Sequence, residues 1–311
     1  MKINQFSITS TTPQARRQEL MQIHLLRKNE EQTLTPNAMF ETFLARIHMA
    51  SAQPIVTKQW LHDLLATPDL ALDDWFDQNQ ILTDEVFYLV ALQLLDFEAA
   101  VDFDITDSLA TVKKIGLPVE SHQKWTTANV IDAFYLLLNT HNKNGQSLID
   151  HLTAEGFIAW SYQLPAEQKP LFFNGKPLAS FDPAKFIREV VYIETDMDTD
   201  FDGKADLVKA EIMRPIESDH GLKVPVVFTA SPYNQGTNDE WGEKATHNVN
   251  LSLKHKDPDY QAPTEEKFPT DFSRQKVTGE SQQATETFST TPAYTLNNYL
   301  ATRGYAVVYS A

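Results

Sequence analysis

The spacing of apolar residues changes near residue 165, and this change restricts the chain to a two-part fold. Before about residue 160, apolar residues recur at helical intervals, whereas from about 185 they form short continuous runs typical of strands. The change predicts an α/β protein with an N-terminal all-α helical domain over 1–165 and a sheet-containing domain over 166–311. At 311 residues, the chain is long enough for each domain to enclose a core.

Apolar faces and capping residues predict the helices of the first domain. One face carries Met39, Phe40, Phe43, Leu44 and Ile47 at helical spacing, and similar faces recur near residues 60–65, 86–95 and 130–138. Hydroxyl side chains before such faces are typical helix N-caps, and glycines are typical of helix ends. The predicted N-caps are Thr57, Thr83 and Ser147, and the predicted stops are Asn144-Gly145 and Gly156.

The second domain is predicted to begin with a hairpin and several strands. Asn174-Gly175 between apolar flanks is a hairpin signal, although Pro177 weakens it. Two further strands are predicted over 190–193 and 205–213, joined by an acidic loop, and an apolar strand over 224–230. A helix over 294–303 then leads into a strand over 304–311, which has the character of a buried parallel strand. A polar, proline-containing insertion at about 235–290 separates these elements, and such long insertions are often functional.

Composition and the N-terminus exclude several classes of function. A net charge of −16 leaves no basic stripe to meet phosphates, so no nucleic-acid partner is expected. The absence of cysteine excludes disulfides, cysteine-ligated zinc and a cysteine nucleophile. The N-terminus has no apolar signal region, and no apolar run reaches membrane-spanning length. The expected location is therefore the cytoplasm, with no membrane partner.

Two patterns that suggest metal binding are interpreted without a metal. Asp198-x-Asp200-x-Asp202-Gly203 matches the first half of a calcium loop, with Asp206 at the ninth position. Lys209 stands where the bidentate glutamate is expected, so a solvated turn between strands is the favoured interpretation and calcium the alternative. The nine histidines lack metal-ligand spacing, and His48 and His62 are interpreted as packing or surface groups. No metal and no cofactor are predicted.

The segment after the apolar strand 224–230 is the candidate catalytic position. Loops at the carboxyl ends of parallel strands form the active sites of α/β proteins. In an α/β-hydrolase, one oxyanion donor comes from the loop after an early strand, and the Tyr233 hydroxyl is suited to that role. From position alone, a packed turn residue is the favoured interpretation of Tyr233. No G-x-S-x-G elbow occurs in the sequence, so the chain is expected to be an α/β-hydrolase front portion, truncated before its nucleophile.

Four segments give the chain a resemblance to a known family. Across essentially all of its length, it resembles the X-prolyl dipeptidyl aminopeptidases of lactic acid bacteria, and the Ser-Pro-Tyr segment is shared in looser form with cocaine esterase. The segments are Tyr192-Ile193-Glu194-Thr195-Asp196, Asp200-Phe201-Asp202-Gly203-Lys204-Ala205-Asp206-Leu207-Val208, Thr229-Ala230-Ser231-Pro232-Tyr233-Asn234 and Arg303-Gly304-Tyr305-Ala306-Val307-Val308-Tyr309-Ser310-Ala311.

The resemblance implies a serine peptidase that removes X-Pro dipeptides from free peptide N-termini. It implies a cytoplasmic homodimer without a metal, whose substrates are peptides with proline in the second position. It also implies that Tyr233 donates its hydroxyl to the oxyanion, and that residues 1–160 contribute to dimer contacts and to the active-site entrance. The Ser, Asp and His of the family's triad fall beyond Ala311, so this chain alone is expected to be inactive.

Two other interpretations of the sequence stay open. An acylase or esterase of the same fold would use Tyr233 in the same way. A non-catalytic helical interaction fragment is the other alternative, and the incomplete sheet argues against it because a strand edge would be left uncovered.

Overall fold

A computed structural model describes residues 8–48, 54–118, 121–199, 203–230, 259, 282–283 and 296–310. The chain forms two compact units, Met1–Ser180 and Phe181–Ala311. The first unit is mainly helical and the second contains a mixed sheet, so the predicted combination of helix and sheet is confirmed. The predicted boundary at 165 lies inside the first unit, and as a statement about folding domains it stays a prediction.

Helices dominate the described part of the first unit. They are α1 (Pro13–Gln22), α2 (Glu30–Thr33), α3 (Pro36–Ile47), α4 (Pro54–Asp63), α5 (Leu72–Asp77), α6 (Asp84–Leu94), α7 (Ser108–Ile115), α8 (Thr127–Leu138) and α9 (Leu148–Ala154). Single 3-10 turns lie at Ile105–Asp107, Ala159–Gln163 and Ala166–Gln168. Among the described residues, no helix has the length and apolar character needed to cross a bilayer.

The core of the first unit follows the predicted helical faces. The five apolar residues predicted to share one face of α3 are all buried: Met39, Phe40, Phe43, Leu44 and Ile47. Phe43 meets Phe134 of α8 edge to face, with their ring centroids 5.0 Å apart. Aromatic pairs in this geometry add to the free energy gained by burial alone. The Phe43–Phe134 pair therefore joins α3 to α8 within the helical core.

Side-chain caps confirm two of the three predicted helix starts. Thr83 accepts a hydrogen bond from the Val86 amide, and Ser147 accepts one from the Asp150 amide. Each bond satisfies an amide that has no partner within its own helix. The predicted N-cap at Thr57 is wrong, because α4 begins at Pro54 and includes Thr57. Proline favours the first turn of a helix, since its missing amide hydrogen is not needed there.

The first unit also contains two small antiparallel sheets, so it is not entirely helical as predicted. One pairs β1 (Leu65–Thr67) with β2 (Leu70–Ala71). The other is the predicted hairpin of β3 (Phe172–Phe173) and β4 (Lys176–Pro177). At its turn, Asn174 and Gly175 have φ angles of 47° and 75°, and this left-handed conformation is the reason that Asn-Gly pairs favour such turns. Phe173 is fully buried in the helical core.

The second unit is organised around a five-stranded sheet of order β7-β9-β6-β5-β8. Its strands are β5 (Ile187–Glu194), β6 (Leu207–Arg214), β7 (Val226–Ala230), β8 (Gln282–Gln283) and β9 (Ala306–Ser310), with 3-10 turns at Pro183–Lys185 and Ile216–His220. β5 and β6 correspond to the two strands predicted on either side of the acidic loop, and they pair antiparallel from Ile187 opposite Arg214 to Glu194 opposite Leu207. β9 pairs antiparallel with β6 and parallel with β7, so the sheet is mixed.

A short helix and a glycine lead into the central strand β9. The helix α10 (Leu296–Ala301) lies within the predicted helical segment, and Gly304 follows it with a φ of 89°. A Cβ atom at Gly304 would lie 2.6 Å from the ring of Phe181, which is fully buried. Both the backbone conformation and the close approach of this ring require glycine at position 304. The helix-to-strand connection is thereby fixed against the small apolar cluster around Phe181.

Candidate functional site

The parallel pair of β7 and β9 defines the candidate active-site edge of the second unit. Its register runs from Val226 opposite Ala306 to Ala230 opposite Ser310, so both strands end at the same edge. The amide of Ala306 donates to the carbonyl of Pro225 at 2.9 Å and extends the pairing by one bond. Segments that leave the carboxyl ends of neighbouring parallel strands begin side by side, which is the arrangement that α/β active sites use.

The predicted catalytic residue follows the first of these strand ends. Tyr233 belongs to the Ser231-Pro232-Tyr233 segment, which continues from Ala230 and lies outside the described residues. The insertion at about 235–290 also lies outside them, except for Asp259 and the strand Gln282–Gln283. The described residues therefore show the sheet edge at which the Tyr233 segment begins, at the end of β7.

Burial differs between the two strands of the parallel pair. On β9, Ala306 and Val307 are buried, and Ser310 at the strand end is 5% exposed. On β7, by contrast, Val226 and Phe228 are 61% and 58% exposed. The central position of β9 between β6 and β7 explains its burial, and β7 is the outer strand of the described sheet.

Two family models match successive parts of the chain. Residues 1–157 match "X-Prolyl dipeptidyl aminopeptidase PepX, N-terminal", and residues 202–311 match "X-Pro dipeptidyl-peptidase (S15 family)". The chain belongs to the X-prolyl dipeptidyl aminopeptidase family. The resemblance predicted from the sequence is thus confirmed, and the two matches together cover residues 1–157 and 202–311.

Curated relatives of this family agree along the whole chain. The Xaa-Pro dipeptidyl-peptidase of Pediococcus pentosaceus is 44% identical over 319 residues, covering 100% of this chain and 38% of the relative. That of Lactiplantibacillus plantarum is 42% identical, covering 100% of this chain and 39% of the relative. That of Streptococcus gordonii is 40% identical, with coverages of 99% and 38%. The chain therefore spans about two fifths of the length of these relatives.

The helical unit also contains a cluster of one histidine and two aspartates, which are residue types that bind metal ions. A ring nitrogen of His62 on α4 and carboxylate oxygens of Asp73 and Asp74 on α5 lie within 4.8 Å of one another. His62 Nδ1 is 2.8 Å from Asp73 Oδ1, and this hydrogen bond raises the pKa of His62 above its usual value of 6.5. The spacing of these three side chains suits a metal ion. His62 and Asp73, however, already form a hydrogen bond with each other.

Sequence reasoning interpreted His62 as a packing or surface group and missed this cluster. His62 and Asp73 are separated by the short β1–β2 hairpin, and no motif joins them. The one available signal was the Asp73-Asp74 pair at the start of α5, where carboxylates also favour the helix dipole.

A cavity of about 260 Å³ also lies within the helical unit. Its apolar lining includes Ile47, Leu64 and Leu148, and His48 stacks on Trp60 at its wall with 4.6 Å between ring centroids. Burial lowers the pKa of His48, and its Nδ1 has no hydrogen-bond partner among the described residues. The stacking confirms a packing role for His48, one of the two roles predicted for it, and the side chain lines the cavity.

Proposed function

We propose that this chain is the N-terminal part of a serine exopeptidase that releases X-Pro dipeptides from the free N-termini of peptides. The observation that carries the proposal is the match of both units to families whose names specify this activity. Xaa-Pro dipeptidyl-peptidases that are 36–44% identical extend the same support over the whole chain.

The sheet of the second unit supports an α/β-hydrolase as the catalytic domain. A parallel strand pair with a common carboxyl edge is the element on which such enzymes place their catalytic loops. We assign the second unit to the front portion of that domain, and we place the nucleophile elbow after a later strand. The Ser, Asp and His of the triad then follow Ala311.

The mechanism we propose is acyl transfer in two steps. The serine attacks the carbonyl carbon of the proline residue while the histidine takes the serine proton, and the histidine then gives this proton to the nitrogen of the next residue as that peptide bond breaks and the shortened peptide leaves. Water hydrolyses the acyl-enzyme, which releases the X-Pro dipeptide and restores the serine. Tyr233 donates its hydroxyl to the oxyanion that develops on the attacked carbonyl. A donor of this kind acts in the transition state, so it contributes to kcat rather than to substrate binding.

Replacement of the tyrosine in the full-length enzyme tests this assignment. Tyr233→Phe is expected to lower kcat on Gly-Pro-nitroanilide by about 10²–10³-fold, with little change in KM. Tyr192→Phe is the matched control, because the Tyr192 side chain on β5 is 46% exposed, and it is expected to leave both constants unchanged. An unaltered kcat in the Tyr233 variant would refute the oxyanion role.

A substrate comparison separates the peptidase from an acylase or esterase of the same fold. The proposed enzyme hydrolyses Gly-Pro-nitroanilide with a much higher kcat/KM than a simple aryl ester or an amide lacking proline. The reverse order of preference would assign the esterase function instead, and it would leave the role of Tyr233 intact.

Assembly and location are proposed on the family resemblance alone. The full-length enzyme is proposed to act as a homodimer in the cytoplasm, with the helical unit contributing to dimer contacts. Sedimentation velocity of the full-length enzyme, compared with a form lacking residues 1–165, tests that contribution. The isolated 311-residue chain is expected to show no turnover of Gly-Pro-nitroanilide.

A further inference from the structure

The cavity of about 260 Å³ in the helical unit is a feature that the proposed peptidase mechanism does not use. All of its lining residues are described, and they run from Ile47 at the end of α3 to Glu155 directly after α9. The lining has a buried apolar part and an exposed charged part. Each part restricts the kind of molecule that fits.

The buried part of the lining is aliphatic, with an aromatic wall. Its four aliphatic side chains are each at most 9% exposed: Ile47, Leu64, Leu148 and Leu152. The wall is formed by Trp60, which stacks on His48. An apolar group that enters such a space leaves water without giving up hydrogen bonds, so this part of the cavity favours an aliphatic or aromatic group.

Two carboxylates, those of Asp96 and Glu155, belong to the exposed part of the lining, and its described residues include no lysine or arginine. Asp96 Oδ2 accepts a hydrogen bond from Asn142 Nδ2 at 2.7 Å, whereas Oδ1 has no hydrogen-bond partner among the described residues. Lys143, the next residue after Asn142, forms its ion pair with Asp102 at 2.7 Å. The Asp96 carboxylate therefore keeps an oxygen that can accept a bond from a ligand.

The other polar groups of the lining leave its charge negative. His151 Nε2 lies 3.6 Å from Glu155 Oε1, so a protonated His151 offsets only one of the two carboxylates. Burial lowers the pKa of His48, which therefore adds no positive charge at neutral pH. The side-chain amide of Gln93 is bonded to backbone atoms of β1 and α6. A net negative lining above an apolar interior favours a ligand that is both cationic and apolar.

We propose that this cavity binds a small primary ammonium ion with an apolar body. The body occupies the buried part of the lining, and the ammonium group pairs with the carboxylates of the exposed part. The volume lies just below the usual range for drug-sized ligands, about 300–1,000 Å³, and so suits a ligand the size of one amino-acid residue. Because exposed ion pairs are weak, the expected dissociation constant is about 10⁻³ M.

Two sources supply this chemistry, namely a free amine and the N-terminal residue of a peptide. The peptide source rests on the proposed function, whose substrates are peptides with free N-termini. The amine source does not rest on it.

An NMR titration of the 311-residue chain with phenethylamine tests the proposal, because the indole N–H signal of Trp60 reports binding at this cavity. A saturable shift of that signal is expected. The neutral analogue 2-phenylethanol is expected to bind at least about twofold more weakly, and the anionic analogue 3-phenylpropionate more weakly still. This comparison uses the wild-type chain alone, so it does not depend on the folding of any variant.

Charge-removing substitutions locate the ammonium group. Asp96→Asn and Glu155→Gln are each expected to weaken phenethylamine binding about two- to fivefold. Asparagine suits position 96, since it tolerates the left-handed backbone with a φ of 63° and can still accept the bond from Asn142. Glu167→Gln is the matched control, because Glu167 is an exposed carboxylate of the same unit outside the lining, and it is expected to leave binding unchanged.

Leucinamide and 3-methylbutylamine distinguish the two sources, since they share an ammonium group and a branched aliphatic body. Tighter binding of leucinamide assigns the cavity to the N-terminal residue of a peptide, and tighter binding of 3-methylbutylamine assigns it to a free amine. N-acetylation of leucinamide is expected to abolish its binding.

Three results would overturn the proposal. They are the absence of a Trp60 shift with any of the amines up to about tenfold above the expected dissociation constant, binding of 3-phenylpropionate as tight as that of phenethylamine, and unchanged affinity in the double variant Asp96→Asn/Glu155→Gln. All three are binding measurements without turnover, so failure of the peptidase proposal is detected separately, by the assay with Gly-Pro-nitroanilide.

Discussion

The carboxylate of Glu19 accepts a hydrogen bond from the phenolic hydroxyl of Tyr135, with 2.6 Å between Oε2 and the hydroxyl oxygen. The same Oε2 accepts the backbone amide of Asn174 at 2.8 Å. One oxygen on α1 therefore joins α8 to the turn of the β3–β4 hairpin. Because hydrogen bonds to charged acceptors are stronger than neutral ones, this contact is central to the attachment of the hairpin.

Asn174 extends this network to the N-terminal segment. Its side-chain oxygen accepts the Thr9 amide at 2.8 Å, and its side-chain nitrogen donates to the Thr9 carbonyl and to the Tyr135 hydroxyl. Asn174 is only 2% exposed. All of its polar atoms are used, so the network orders two segments that have little regular structure.

Tyr135→Phe is expected to lower the free energy of unfolding by about 1–3 kcal/mol, since a buried hydrogen bond to a charged group is lost. Urea denaturation measures the change. A double-mutant cycle with Glu19→Gln is expected to give a coupling energy of about 0.5–3 kcal/mol between the two side chains. Additive effects of the two substitutions would contradict a direct Glu19–Tyr135 interaction.

Tyr135 also predicts a loss of stability in alkaline solution. Burial, and then the bond to Glu19, raise the pKa of Tyr135 from 10.0 to about 12. The unfolded chain therefore loses this proton at a lower pH than the folded chain does. The contribution of Tyr135 to stability is complete below about pH 10 and is lost as the pH rises toward about 12. The difference in unfolding free energy between wild type and Tyr135→Phe, measured on both sides of pH 10, is expected to shrink with rising pH.

Gly304→Ala is expected to destabilise the second unit more than a Gly→Ala change at another glycine with a positive φ angle. The alanine pays about 1–2 kcal/mol for its left-handed backbone and a further ~1–3 kcal/mol for overlap with Phe181. Thermal unfolding monitored by circular dichroism measures the effect. Phe181→Leu in the same chain is expected to recover part of the loss.

The matched control for this prediction is Gly221→Ala. Gly221 has a φ of 94°, and a Cβ atom there meets nothing within 4 Å. It therefore carries the conformational cost without the overlap. Equal destabilisation by the two substitutions would show that the ring of Phe181 does not constrain position 304.

His62 is expected to titrate above its usual pKa of 6.5 because Asp73 accepts its ring proton. A raised pKa means that the stabilisation is complete below about pH 6.5 and is lost as the pH rises through the higher value of the folded state. Proton NMR of the His62 ring measures the titration. Asp73→Asn is expected to return the pKa toward 6.5, whereas Asp74→Asn, which acts only through its charge, is expected to have a smaller effect. A pKa of 6.5 for His62 in the wild type would contradict the His62–Asp73 hydrogen bond.

The features that sequence predicted well depend on local interactions. The buried face of α3 and the caps Thr83 and Ser147 follow from helical periodicity and from hydroxyl groups beside free amides. The turn at Asn174-Gly175 likewise follows from local backbone preference. The cap at Thr57 was predicted wrongly because Pro54, earlier in the chain, was a better helix start than the hydroxyl side chain.

The loop between β5 and β6 shows where local reasoning fails. The spacing of its aspartates was visible in the sequence, yet exposure was the assumed state of Asp198. Its burial depends on the antiparallel pairing of β5 with β6, which closes the loop. A sequence pattern cannot show whether a carboxylate oxygen is left without a donor, since that depends on every neighbour in three dimensions.

The sequence by itself determined the helical first part, the strand-rich second part and the family, because periodicity, caps and short motifs are properties of neighbouring residues. Only the tertiary structure decided the parallel register of Ala230 with Ser310, the meeting of His62 with Asp73, and the orphaned oxygen of Asp198. The first two are contacts between residues that lie apart in the chain, and the third depends on all the neighbours of Asp198 in three dimensions. Their geometry depends on how whole helices and strands pack, and no single segment of the sequence determines the free energy of that packing.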